Sequence, residues 1–394
     1  MRIAFYSDNF YPELSGISDS IIITGKKLAG LGHSINFFVP SYSRKNYKFL
    51  DLPYKEINLG ERIKITRLFS FPYPTGTAQS RLVIPTGLRS LLLKKFKPDL
   101  IHSHLIAGVG LEALLDSKIL KIPMVGTNHT PISEFVRYTP VKWKWFQKLA
   151  QRYDVWYYNH CRFVSSPSTP VLSEMKSLGF NKPSHPVSNP VEIELFKKDY
   201  DKKKLKKKYG LSDFTLIYCG RLAKEKHIDL IIRAAAELKN EIPDLSIIIS
   251  GTGSEEKNLK ELAKKLNISE KIKIFGYIKE KEEYVRLYKA SDLFLMLGTA
   301  ETQSIVMMQA MTTGLPVIGV KAWGLPDYIY KENGILIEPN DLNALKEKIL
   351  FLYKNKEIRE SLGEGGKKFV QGFTPEKIAK AWEDIYSAVL KNTI

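Results

Sequence analysis

Cysteine is almost missing from this 394-residue chain, which has two, Cys161 and Cys219, far apart in sequence. That excludes a disulfide framework and Cys-based metal spacings, and it fits a reducing cytoplasm. No run of about 18 apolar residues occurs, so the sequence indicates no membrane-spanning helix. The opening MRIAFYSDNFYPELSG lacks a basic segment followed by an apolar one; it reads as a first strand and loop rather than a signal peptide. HExxH and similar spacings are absent, and no metal site is expected. Acidic residues are scarce in one half only. Residues 1–190 hold 25 Lys and Arg against 12 Asp and Glu, a net +13; the rest holds 35 against 30, a net +5. The basic half suggests an anionic partner (lipid headgroups, nucleic acid or a phosphorylated substrate) or else a solvated lysine-rich surface.

What the chain does have is strands alternating with helices, twice over. RIAFYS, SINFFVP, DLIHSHL, PMVGTNH and RFVSSPS read as strands in the first half, with helices between them and a long one over roughly residues 140–161. FTLIYCG, LSIIISG, KIKIFGY, DLFLML and LPVIGV restart the pattern. The break falls near SHPVSNPVEIELF, and the lysine run KKDYDKKKLKKK reads as a linker into a solvated helix. The fold class is α/β: two Rossmann-like, doubly wound domains facing each other across a cleft. Residues 1–190 form the first, 191–370 the second, and 371–394 a C-terminal helix returning to the first.

Several strand ends carry chemistry. Arg221 and Lys226, in YCGRLAKEKHIDLI, precede a helix whose free N–H groups favour an anion; two surface cations are the plainer alternative. Gly251 and Gly253, in ISGTGSEEKN, allow close approach of a ligand, or simply a tight turn. Gly16 leads into a helix expected near Asp19 and offers N–H groups to phosphate, or is an ordinary loop glycine. His129, just past a strand end, is placed to donate to a sugar hydroxyl or carry a proton, or to be structural. His102 and His104 share one strand face. In TAETQSIVMMQAMTTGLP, Glu301 stands at the mouth of a helix capped by Thr302 or Ser304. It can accept from a sugar diol while Thr302, Gln303 and Ser304 present backbone N–H groups, or it only complements the helix dipole. Gln309, eight residues on, can accept one hydrogen bond and donate others.

In this order, Gly16, TNHT, SNPVEIELF, GRLAKEK, GTGSEEKNL, FGYI, and ETQSIVMMQAM with GLPV resemble the retaining family 4 glycosyltransferases of the GT-B fold. The resemblance spans nearly the whole chain. It implies an enzyme, a metal-independent hexosyltransferase using a nucleotide-diphosphate sugar. Arg221 and Lys226 would clamp the leaving diphosphate, Glu301 and the amides after it would hold the donor sugar, and His129 would lie near the reaction centre. The base would sit near Gly276 and Tyr277. The family pattern has two Glu residues with seven positions between them; the second grips the ribose, and here it is Gln309. The resemblance implies no protein nucleophile, but a front-face mechanism in which the leaving phosphate takes the acceptor proton. It also implies no cofactor beyond the donor, UDP being favoured. The Asp199-Tyr200-Asp201 triplet is read as accidental.

The ETQ form resembles lipid glucosyltransferases, which implies a lipid acceptor and glucose as the favoured sugar. On KWKWFQKLAQRYDVWYYNHCR, Trp145, Lys148 and Arg152 share a face, with Lys142 and Lys144 beside them, as suits an anionic membrane surface. Phe146, Leu149, Ala150, Tyr153 and Tyr157 are assigned to the core. The stretch FPYPTGTAQSRLVIPTGLRSLLLKKFK is a second candidate for lipid contact, or its helix simply packs Leu91 and Leu92 on the sheet. The expected location is the cytoplasmic face of the cell membrane, with peripheral attachment. A soluble acceptor and a catalytically decayed nucleotide-sugar-binding protein are the alternatives. No nucleic-acid module is recognisable.

Overall fold

The computed structural model describes residues 1–13, 15–73, 81–133 and 143–394. The chain forms two compact units, Met1–Pro190 with Pro375–Ile394, and Val191–Thr374. In the first, the strands β1 (Arg2–Tyr6), β2 (Ser34–Pro40), β3 (Ile63–Leu68), β6 (Leu100–Ser103), β7 (Met124–Thr127) and β8 (Phe163–Ser165) make one parallel sheet in the order β3-β2-β1-β6-β7-β8. A short antiparallel ribbon, β4 (Phe71–Pro72) with β5 (Arg81–Leu82), stands apart from it. The second unit repeats the order. Strands β9 (Phe214–Cys219), β10 (Leu245–Ser250), β11 (Ile272–Gly276), β12 (Leu293–Met296), β13 (Val317–Val320) and β14 (Gly334–Ile337) form the parallel sheet β11-β10-β9-β12-β13-β14. Both sheets therefore reverse direction beside their first strand, at the switch point where doubly wound sheets bind ligands.

Strands β9 and β10 are buried along their whole length, as in a parallel sheet covered on both faces. The strands absent from the sequence reading, IKITRL of β3 and GILI of β14, both lie at sheet edges, where shorter or more polar runs suffice. The helix Pro375–Leu390 belongs to the first unit. It packs along the helix Gly16–Gly30, with Lys27 paired to Glu376 and His33 Nε2 3.0 Å from Glu383.

The lysine run is not a plain solvated linker. Asp201 caps the helix Lys202–Tyr209 by accepting from Lys204 N at 3.1 Å. Lys206 is buried, and its ammonium donates to Asp292 (2.6 Å) and to the carbonyls of Ser212 and Asp213 (3.1 and 2.5 Å). Lys202 takes the other Asp292 oxygen at 2.6 Å, and Thr215 N also donates to Asp292. One carboxylate ahead of β12 thus fastens this helix to the start of β9. Asp292→Ala, which leaves a buried ammonium without its counter-charge, is expected to cost about 3–5 kcal/mol in urea unfolding. The exposed Asp199→Ala should stay within about 0.5 kcal/mol.

Candidate active site

Of the candidate donor-binding residues, Arg221, Lys226, Glu301, Thr302, Gln303 and Ser304 gather at the switch point of the second unit, on the loops that follow β9 and β12. Strand β9 is followed at once by Gly220, whose φ of 143° only glycine adopts without strain. The next loop makes one 3₁₀ turn, Lys224–Lys226, and enters the helix Ile228–Glu237 through a left-handed His227. Lys226 Nζ lies 2.5 Å from Glu301 Oε1, and each side chain is only 15% exposed. Gly298 makes room for the pair: a Cβ there would lie 3.1 Å from Glu301 Oε1 and 3.3 Å from Lys226 Cδ. Thr299 N donates to Glu225 O (3.2 Å) and Gly324 N to Glu301 O (2.8 Å), so backbone bonds hold both loops. Arg221 is more open; its guanidinium donates to Glu225 at 2.6 Å. That acidic partner, four residues along the chain, was readable from GRLAKEK but not singled out.

The cap of the helix Ile305–Thr312 is Ser304, which accepts from Met307 N at 3.4 Å. Glu301 therefore stands clear of the helix and is held by Lys226 rather than by the dipole. Thr302, Gln303 and Ser304 bridge the two, and Gln303 and Ser304 are buried. Gln309 lies in the second turn. Its Oε1 is shielded from solvent and has no hydrogen-bond partner among the described residues.

The glycines of the GTG turn allow a close approach of the chain to itself. A Cβ on Gly251 would sit 1.8 Å from Gly220 O, and one on Gly253 2.1 Å from Leu222 O. What comes close is the chain's own loop after β9, bonded through Gly220 N to Ser250 O and Leu222 N to Thr252 O, 2.9 Å each. The Gly276 carbonyl accepts from Gly251 N (2.7 Å) and Ser250 Oγ (3.4 Å), so it is already engaged. Gly276 itself (φ 63°) has open space where a side chain would be, and Tyr277 beside it is exposed.

In the first unit, Gly16 is the first helical residue, three positions earlier than expected, and Ser15 caps it by accepting from Ile17 N. His129 follows β7 and is buried. Burial lowers its pKa to about 3, so it remains a neutral imidazole: it can exchange hydrogen bonds but does not serve as a cationic acid. His104, just past β6 rather than within it, has its Nδ1 3.2 Å from His129 Nε2. His102 Nδ1 lies 2.7 Å from Tyr386 Oη and its Nε2 2.7 Å from Thr127 Oγ1.

On the helix Lys144–Tyr158, Trp145 is 60% exposed, and Lys148 and Arg152 are exposed too. Leu149, assigned to the core, is 55% exposed; together with Trp145, Arg152 and Trp156 it completes a stripe at offsets of four, seven and eleven. Tyr157, also assigned to the core, is buried together with Asp154, Val155 and Tyr158, while Phe146, Ala150 and Tyr153 are half-buried. Leu91 and Leu92 also face outward, and Leu93 is the one that packs. Lys142 and the side chain of Lys144 lie outside the described residues.

This chain matches the family model described as "Glycosyltransferase Family 4" over residues 14–195 and that described as "Glycosyl transferases group 1" over 200–369. It is 26% identical over 400 residues to the alpha-monoglucosyldiacylglycerol synthase of Acholeplasma laidlawii, spanning 98% of this chain and 96% of that one. It is equally similar, 26% over 390 residues, to the N-acetyl-alpha-D-glucosaminyl L-malate synthase of Bacillus anthracis, spanning 97% and 96%. The structure of Anabaena HepE with UDP and glucose aligns with a TM-score of 0.78 at 18% identity, over 98% of this chain and 100% of that one. With two like doubly wound sheets and motifs matched from end to end, the chain belongs to the family 4 glycosyltransferases and has their GT-B fold.

Proposed function

We propose that this enzyme moves a hexose, glucose favoured, from a UDP-type nucleotide sugar to a membrane lipid with retention at the anomeric carbon. The observation that carries the donor part is the shielded Lys226–Glu301 pair at the switch point. A nucleotide sugar offers a partner for each member: phosphate oxygens for the ammonium and sugar hydroxyls for the carboxylate. As the bond from the anomeric carbon to the phosphate oxygen breaks, charge builds on the diphosphate, where Lys226 and the solvent-accessible Arg221 stabilise it. The acceptor oxygen attacks from the same face and its proton passes to the leaving phosphate, so no protein nucleophile is required. Gln309 Oε1, shielded and unpartnered among the described residues, suits one ribose hydroxyl.

The lipid acceptor is supported by the Acholeplasma relative and by the stripe Trp145, Leu149, Arg152 and Trp156, where indole and aliphatic groups alternate with a cation. Lys118 lies 6.0 Å over the Trp156 ring and adds charge beside it. No helix among the described residues is long and apolar enough to cross a membrane; the attachment proposed is peripheral, through this stripe, at the cytoplasmic face. The Bacillus relative favours a second reading, a small water-soluble acceptor.

Three experiments separate these readings. Lys226→Ala should lower kcat/KM for sugar transfer by about 10²–10³-fold, as loss of one fixed charge-stabilising donor does; full turnover would remove the leaving-group role. Gln309→Glu should tighten nucleoside diphosphate binding about 5- to 30-fold in calorimetry, the gain from a neutral to a charged acceptor. Unchanged or weaker binding rejects the ribose contact. Vesicle flotation should retain the protein on anionic but not zwitterionic lipid, less so at high salt, and Leu149→Ser with Trp156→Ser should release it. Absence of flotation, together with transfer to a water-soluble acceptor, establishes the second reading.

A further inference from the structure

Among the described residues, His104 Nε2 is a buried ring nitrogen without a hydrogen-bond partner. It lines a small polar cavity with His129, Ser20, Thr24, Ser188 and Asn189, closed on one side by Trp382. Ser20 Oγ donates to Asn189 Oδ1 at 2.7 Å, and the remaining space is about that of one water molecule. The other nitrogen of His104 is committed to His129 at 3.2 Å. The His104 ring also lies tilted against His102, 3.9 Å between centroids, and His102 is itself fixed by Tyr386 and Thr127. His104 is therefore held in place on one side and aimed at His129 on the other.

We infer that His104 is a positioning residue that decides, through this one shared hydrogen bond, whether the outer nitrogen of His129 is an N–H or a lone pair. Deep burial lowers the pKa of all three histidines, so the rings stay neutral and carry one proton each. One proton lies between His104 Nδ1 and His129 Nε2. When His129 supplies it, His129 Nδ1 is bare and His104 Nε2 carries the second proton. When His104 supplies it, His129 Nδ1 carries the proton and His104 Nε2 is bare. The two rings must share one tautomer, and they exchange it together. A hydroxyl donating to His104 Nε2 selects the second form and turns His129 Nδ1 into a donor. Removing that hydroxyl, or reversing its direction, reverses the choice. Protons are conserved in both cases, and no imidazolium forms.

The consequence for catalysis rests on the proposed sugar transfer and on the place near its reaction centre that the family resemblance gives His129, but the tautomer coupling does not, and nitrogen NMR reads it directly. In full-length protein labelled with ¹⁵N-histidine, long-range proton–nitrogen spectra at neutral pH should report the same tautomer for His104 and His129. His104→Phe keeps a ring but removes the nitrogen, and should change the His129 nitrogen signals. His104→Asn puts an amide near the Nδ1 position and should restore a single form. In transfer assays, His104→Phe should lower kcat about 10-fold or more, the cost of one well-placed hydrogen bond, with the donor KM within about 2-fold and partial recovery in His104→Asn. A residue that only packs would lower the melting temperature and leave the His129 nitrogens unmoved. Opposite tautomers in the wild type, or an unchanged His129 spectrum in the variants, would overturn the inference. Should His104→Phe not fold, the wild-type tautomers and the Asn variant still decide it. If wild-type protein transfers no sugar at all, the proposed function fails while the nitrogen spectra still stand as the test of the coupling.

Discussion

The proposed donor site depends on one ion pair. Lys226 and Glu301 meet at 2.5 Å with little solvent access, so each satisfies a charge that the other would otherwise leave stranded. Losing one partner of such a pair without replacement costs about 3–5 kcal/mol, which keeps both loops in place when the site is empty. The same energetics make the pair selective. A ligand that supplies only an anion, or only hydroxyls, satisfies one member and strands the other. A nucleotide sugar carries both kinds of group a few bonds apart. The pair is in this sense a preorganised template, with its charges fixed before reaction begins. Gly298 belongs to the same device, since any side chain there would push against the carboxylate and the lysine stem.

That template is held by backbone rather than by further side chains. Beyond the sheet, the loops after β9, β10 and β11 stay joined: Gly220 N to Ser250 O, Leu222 N to Thr252 O, Gly251 N to Gly276 O. Contacts that close require glycine at positions 251 and 253, where a methyl group would overlap a carbonyl oxygen. These glycines let three loops behave as one rigid rim from which Arg221 and Lys226 project.

The repeated strand–helix alternation was legible because buried parallel strands are continuous apolar runs, and FTLIYCG and LSIIISG announce themselves. The candidate donor residues were legible because strand ends at a switch point are the place to look. Pairings between distant residues were not. Nothing local says that Lys226 seeks Glu301, or that Lys206 is buried against Asp292, since both partners lie more than seventy residues away. Helical periodicity placed Trp145 and Arg152 on one face but not which neighbouring face is buried. Leu149 went to the wrong side because its outward position depends on what the rest of the unit covers. His104 carried no signal beyond sharing a strand face with His102, because its contact with His129 joins residues past the ends of two different strands.

In the proposed membrane attachment, the exposed stripe and the basic excess of the first half would solve different parts of one problem. Charge acts at range but weakly: each basic residue near an anionic surface contributes about 1 kcal/mol and fades within a Debye length. Apolar side chains contribute nothing at range, yet hold once they leave water, at about 25 cal/mol per Å². A surface with charge alone would bind any polyanion and detach in salt; one with Trp145, Leu149 and Trp156 alone would associate with itself. Placing Lys118, Lys148 and Arg152 around those apolar groups favours a partner that is both anionic and deformable enough to admit an indole. A lipid interface meets both conditions, whereas a folded acidic protein or a nucleic acid meets the first and would leave the indoles in water.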